Sequence, residues 1–291
     1  MRKMEKFYAV LSVILSIAGS NAQEIKTVAG FKHPESVVSD GTYLYVADIG
    51  LSMKPSEKDG DGKILRVDKD GKILDAAYIN EKLNAPKGLV LDGKTLYVND
   101  IDRLVAFDLE TRNKLYEIDF SSATAFLNDI TIVDKTTLFV SATDKNKIFK
   151  VNLTDKTFSE LKTDKEIVGI NGLFYDKAAS RLYVNGFGSG IGYVNLKDNK
   201  FTPVTPLEGY YDGIFVYEDI LYATNWIAFE KKGIVVAVDI LNNYRLTVLK
   251  MPEPINGPAD FTVFRNQLVV PGMLEGTLNF ISVKKELLYI H

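Results

Sequence analysis

Six short segments of this 291-residue chain place a chemically distinctive residue at the same point of a recurring phrase: Glu35, Lys87, Asn128, Asn171, Asp212 and Ala259. Four of these, Glu35, Asn128, Asn171 and Asp212, offer side-chain oxygens and no ring nitrogen or sulfur. That is the donor set of a hard cation. Calcium fits it ahead of magnesium or another divalent ion, because calcium accepts six to eight oxygens in flexible geometry, with water completing the shell. Two carboxylates balance a divalent charge, and without the ion they would repel each other near a common centre. Lys87 brings an ammonium to the same position and is assigned to substrate binding. Asn-Asp, Asn-Gly and Asp-Gly are also common turn dipeptides. Their coincidence at one position of different units favours a metal site, since a turn needs no carboxylate or amide facing a shared axis.

The phrases that carry these residues are PESVVSDGTYLYVADIG, PKGLVLDGKTLYVNDID, NDITIVDKTTLFVSATD, NGLFYDKAASRLYVNGFG, DGIFVYEDILYATNW and ADFTVFRNQLVVPGML. Each is a short apolar run, a polar turn and a Leu-Tyr-Val-like strand. The marked residues are spaced by 52, 41, 43, 41 and 47 positions, and a four-stranded propeller blade occupies roughly 40–50 residues. Six units predict an all-β, six-bladed β-propeller over residues 23–291, closed so that the marked residues become neighbours around the axis. In the first blade the pattern predicts strands at Ser36–Val38, Tyr43–Val46, Lys63–Asp68 and Ile73–Tyr78, with Asp70-Gly71 as a hairpin turn. The last blade has Phe261–Phe264, Gln267–Val270 and Leu278–Val283. Its outer strand is either Glu286–Ile290 or the N-terminal Ile25–Val28, because propellers often close with strands from both termini. The loop from Ile49 to Gly62 should rise over the face that bears the marked residues and wall a pocket there. Asn225-Trp226 falls on the same face, and both are assigned to substrate binding, Trp226 as a wall for a ring-shaped substrate.

Residues 1–22 read as a signal peptide: Arg2, Lys3 and Lys6, a largely apolar run from Phe7 to Ala18, then small Ser20-Asn21-Ala22. The run is too short to span a bilayer as a helix. A periplasmic or secreted protein with no membrane span after cleavage is expected. The chain has no cysteine, which excludes thiol catalysis, Cys-ligated zinc and iron–sulfur clusters. Without Arg2, Lys3, Lys6 and Glu5, 32 basic and 37 acidic side chains remain, a net charge of −5. The charges are interspersed, so no basic stripe for nucleic acid is present. Asp59-Gly60-Asp61-Gly62 lacks the bidentate Glu of a calcium-binding EF-hand loop, and Gly186–Gly190 lacks the following helix of a dinucleotide fingerprint. The histidines, His33 and His291, give no support to a His-dyad mechanism.

The motifs PES, FLND, INGL and YDGI, each followed by a strand pair, resemble the senescence marker protein/gluconolactonase/luciferin-regenerating-enzyme family, six-bladed propellers related to paraoxonase and diisopropylfluorophosphatase. The resemblance covers essentially the whole chain after residue 22. It implies a calcium ion in the central channel held at Glu35, Asn128, Asn171 and Asp212, and hydrolysis of a lactone, related ester or phosphotriester with Asp212 as the catalytic residue. Ala85–Gly88 and Ala259-Asp260 resemble a less-characterised bacterial branch of that group. The leading expectation is therefore an exported, monomeric calcium-dependent hydrolase of a small lactone or ester. Two alternatives stand beside it: a binding or scaffold propeller with a structural cation or small-ligand site, and a metal-free, strictosidine-synthase-like carbon–carbon bond-forming enzyme.

Overall fold

Short apolar runs separated by polar turns give strands that can be buried on both faces, and the computed structural model arranges them as six four-stranded antiparallel sheets around a ring. It describes residues 24–205, 209–228 and 232–283. The proposed signal peptide and the candidate strand Glu286–Ile290 lie outside the described residues. The inner strands are Pro34–Ser39, Pro86–Asp92, Leu127–Asp134, Ile170–Asp176, Tyr211–Tyr217 and Thr262–Phe264. Among the described residues the one helical segment is a single turn, Thr143–Lys145. No helix there is long and apolar enough to cross a membrane.

The ring is closed by the N-terminal strand. Ile25–Ala29 pairs with Thr277–Ser282 as the outermost strand of blade six, from Ile25 opposite Ile281 to Ala29 opposite Thr277. Glu24 extends the pairing through a hydrogen bond from the Ser282 amide to its carbonyl. Pairing the terminus in this way covers an edge that would otherwise be open to another chain.

The hydrophobic core is a ring of inter-blade clusters. Leu96, Val98, Val105 and Phe107 of blade two pack against Ala47 and Ile64 of blade one. Equivalent clusters fill each successive junction, and the last joins Val269, Leu278 and Phe280 of blade six to Val37, Leu44 and Val67 of blade one. Each blade is buried on both faces, so its middle strands read as continuous apolar runs.

One strand ends earlier than its pattern predicts. The outer strand of blade one is Ile73–Asp75, not Ile73–Tyr78. The Asp75 carboxylate accepts the Ala77 amide and turns the chain. Tyr78 then enters the blade one–blade two junction, where its hydroxyl donates to the Leu109 carbonyl at 2.7 Å. The guanidinium groups of Arg66 and Arg112 lie 4.7 and 4.5 Å from its ring centroid. The Tyr78 amide still donates to the Ile64 carbonyl at 2.8 Å, so the break in the ladder is the turn at Asp75–Ala77 and the buried ring anchors the chain beyond it.

Candidate functional site

The marked residues sit on a repeated irregularity. In five inner strands the pairing with the second strand slips at the marked residue: between Pro34 and Ser36, Pro86 and Leu89, Leu127 and Ile130, Ile170 and Leu173, and Tyr211 and Ile214. A bulge of this kind bends the strand and re-aims side chains, here toward the axis. It also frees backbone groups, and the second strands answer with buried polar residues. Asn99 donates to the carbonyls of Asn128 and Asp129 at 2.9 and 3.0 Å. Ser141 donates to the Asn171 carbonyl and accepts the Asp129 amide. Asn185 donates to the Gly213 carbonyl and accepts the Gly172 amide. Thr224 donates to the Ala259 carbonyl and accepts the Gly213 amide. Ser141, Asn185 and Thr224 therefore tie their own blade's inner strand to the next blade, and Asn99 ties the second strand of blade two to the bulge of blade three.

The position after each marked residue is Ser36, Gly88, Asp129, Gly172, Gly213 or Asp260. The glycines are there for space. A Cβ at Gly172 would stand 2.3 Å from the Asp212 carbonyl oxygen, and one at Gly88 would stand 2.5 Å from the Asn128 carbonyl oxygen. These neighbours are backbone and cannot swing aside. Gly172→Ala should cost about 2 kcal/mol or more by overpacking, which lowers the melting temperature by roughly 4–8 °C in a domain of this size. An unchanged melting curve would show that the inner strands have slack at the axis.

Glu35, Lys87, Asn128, Asn171, Asp212 and Trp226 converge on one cavity of about 220 Å³. Ile49, Met53 and Pro55 of the Ile49–Gly62 loop wall its mouth, and Phe126, Phe187 and Met273 complete it. All six marked residues are buried. Glu35 Oε2 and Asp212 Oδ1 are buried without a hydrogen-bond partner. The Asn128 amide nitrogen donates to Thr143 Oγ1 at 3.1 Å, which leaves its carbonyl oxygen for another partner. Ala259 supplies no ligand; it packs with Ile49, Ala85, Trp226 and Met273 beside the mouth.

A further pair of carboxylates lies next to this ring. Asp129 and Asp260, from blades three and six, are hydrogen-bonded to each other. Asp129 accepts the amides of Ile130 and Leu173, and Asp260 accepts the Ser36 hydroxyl and the Phe261 amide. The pair lines a second, mainly apolar cavity of about 230 Å³ together with Leu89, Ile130 and Phe215. A signal for the pair was present in the repeats, since both residues directly follow a marked position.

Burial governs the ionisation of the whole channel. It raises Glu35 well above the usual carboxylate range, with repulsion from Asp212 and Asp260 adding and Lys87 opposing. Burial and Asp260 raise Asp212, against a hydrogen bond from the Trp226 indole. Burial and Asp260 also raise Asp129. Asp260 is pushed up to about 6 by burial, less the help of Ser36 and Asp129. Burial pulls Lys87 down to about 8, against attraction from Glu35 and Asp100.

This charge set fits a divalent cation. Glu35, Asp212, Asp129 and Asp260 bring four carboxyl groups to the channel against the single ammonium of Lys87, and burial disfavours the ionised form of each carboxyl. Ionising them without a counter-charge is costly, and a divalent ion between Glu35 and Asp212 would offset that cost. No group of three His, Cys, Asp or Glu side chains among the described residues is placed to hold a metal, so a cation here would depend on the amide oxygens of Asn128 and Asn171.

The remaining expectations fall elsewhere. Asn225 is fully buried but is not part of the cavity wall. Its side-chain oxygen accepts the amides of Tyr210 and Ile227 at 3.2 and 2.8 Å. Asp48 and Asp100, at the same strand ends of blades one and two, likewise accept loop amides, from Lys32 and His33 and from Asn84 and Ala85. Asn225 thus shapes the loop that presents Trp226. His33 is taken up by Gly50, 2.9 Å from its Nδ1. Asp61 accepts the Leu51 amide and shapes the loop at the cavity mouth.

No family model matches the sequence, and no curated protein matches it. Several solved structures share its architecture. Virginiamycin B lyase from Staphylococcus aureus superposes with a TM-score of 0.66 at 12% identity, over 90% of this chain and 100% of the lyase. A structural genomics protein of unknown function from Bacteroides thetaiotaomicron VPI-5482 gives 0.67 at 12% identity, over 91% of this chain and 73% of that one. A chain of a nidogen/laminin complex gives 0.60 at 18% identity, over 75% of this chain and 80% of that one. These likenesses concern the fold: the chain is a six-bladed β-propeller.

Proposed function

We infer that this protein is an exported, calcium-dependent hydrolase of a small lactone or related ester. The observation that carries the reading is the convergence of Glu35, Asn128, Asn171 and Asp212 on one cavity, with buried oxygens of Glu35 and Asp212 left without partners. The motif resemblance to the gluconolactonase group and the order of residues 1–22 support the activity class and the export.

When bound, the cation would supply Lewis-acid polarisation of a carbonyl and acidification of a water. Asp212, whose Oδ1 has no partner, would help to hold the cation and orient the attacking water beside it. A carboxylate beside a cation is a poor base, because positive charge lowers its pKa, so orientation is its main contribution. Trp226, Phe126 and Phe187 exclude bulk water and offer flat apolar surface to a ring.

The test is a calcium titration of the purified protein followed by thermal unfolding, together with a panel of lactones and aryl esters. At a free calcium concentration a hundred times Kd, mass action adds about 2.7 kcal/mol, a rise of roughly 5–10 °C. EDTA should reverse it. No response to calcium or EDTA would remove the cation from the reading. Calcium binding without turnover of any lactone or ester would leave a propeller with a structural cation site.

A further inference from the structure

We propose that Lys87 selects substrates carrying a carboxylate in addition to the lactone or ester that reacts. The inference rests on the hydrolase reading of the same cavity and names its substrate class.

Lys87 is 1% exposed, and among the described residues it is the only Lys, Arg or His that lines the cavity. An ammonium offers three donors. One is directed to the Ala85 carbonyl at 3.3 Å, and the Phe126 ring lies 4.4 Å from Nζ to its centroid. Among the described residues no carboxylate is within ion-pair distance of Nζ; the attraction of Glu35 and Asp100 acts from further away. The remaining N–H groups therefore have no anionic partner in a site where a buried ammonium is costly.

Ligation of a cation would make this imbalance sharper. It occupies the charge of Glu35 and Asp212 and leaves Lys87 as a fixed positive group on the opposite side of the ring from Asp212, blades two and five being three apart in six. Phe126 and Ala85 hold the side chain along the wall, so no rotamer freedom is lost when a carboxylate arrives. A charge-assisted hydrogen bond in a water-poor pocket is stronger than a neutral one. A neutral substrate gains nothing from it.

Glucaro-1,4-lactone and glucono-1,4-lactone share the ring and differ by a carboxylate in place of a hydroxymethyl group. In calcium and low salt, calorimetry should show the carboxylated lactone binding wild-type protein at least tenfold more tightly. Lys87→Met, which keeps the length and packing against Phe126, should erase that ratio. Lys87→Arg should retain most of it, and a thermal melt checks that each variant folds. Equal binding of the two lactones, binding of neither, or a preference that survives Lys87→Met would overturn the proposal. Turnover is read separately. Hydrolysis of both lactones at equal kcat/KM would sink the selectivity and leave the hydrolase, whereas selective binding without hydrolysis would do the reverse.

Discussion

Asp212→Ala should reduce lactone or ester hydrolysis at least about a hundredfold, the scale of a lost positioning or proton-transfer group, while the propeller stays folded. Asp212 is buried with an unpartnered oxygen, and burial disfavours its ionised form. Its removal therefore takes away a destabilising charge from the metal-free protein. In EDTA the variant should melt at or above the wild-type temperature. In calcium the order should invert, because the wild type gains the ligation energy and the variant loses one of its two ring carboxylates. That crossing marks Asp212 as a cation ligand, and the loss of hydrolysis marks it as part of the reacting centre. Glu110→Ala is the control, since Glu110 is exposed and pairs with Lys94 on the surface. Asp61 is unsuitable as a control, because it shapes the loop over the cavity. Activity within about threefold of wild type would take Asp212 out of the catalytic centre.

The blade count and the convergence on the axis were legible because a closed ring of equal repeats turns alignment into proximity. Glu35, Asn128, Asn171 and Asp212 needed no knowledge of loops, for their position in the repeat decides where they point. The Ile49–Gly62 loop was legible by topology alone. Asn225 was not, since its role depends on which loop amides come within reach, and only coordinates show it accepting from Tyr210 and Ile227. The end of the strand before Tyr78 was missed for a related reason: the Asp75 carboxylate captures the Ala77 amide and turns the chain, a local contact that the apolar pattern does not carry. Phe126 opens the FLND motif, two residues before the marked Asn128, but nothing in the repeat placed its ring against Lys87. Asp129 and Asp260 were within reach of the sequence. One step along from the marked residues, in blades three and six of six, they face each other across the axis, and a second tier of alignment exposes them.

Metal-free protein should lose stability as pH rises from about 4 toward 7, and calcium should abolish most of that loss. The groups responsible are Glu35, Asp129, Asp212 and Asp260, all raised in the fold, first by burial and then by one another. A carboxyl with a raised folded pKa contributes stability below its unfolded value near 4, and that contribution disappears as pH climbs through the folded value. For Asp260 the folded value is about 6, so its window is roughly pH 4 to 6; the other three extend it upward. Asp108, Asp119 and Asp134 are lowered by loop hydrogen bonds. They act in the opposite sense only below about pH 4 and do not mask the trend. Lys87 runs the other way. Burial depresses it to about 8, so its penalty is relieved as pH rises from there toward its unfolded value near 10.4. The metal-free stability curve should consequently pass through a minimum near neutral pH. The loss on the acid side is on the order of a few kcal/mol, since each tenfold gain in a carboxylate's proton affinity on folding is worth about 1.4 kcal/mol. Calcium supplies the missing positive charge and competes with protons for Glu35 and Asp212, so its stabilisation should grow with pH over the same interval. Denaturant melts at pH 4, 5, 6 and 7, with calcium and with EDTA, read this directly. A metal-free curve that rises steadily toward neutrality, or a calcium effect independent of pH, would mean that the channel carboxylates are compensated by something other than a cation.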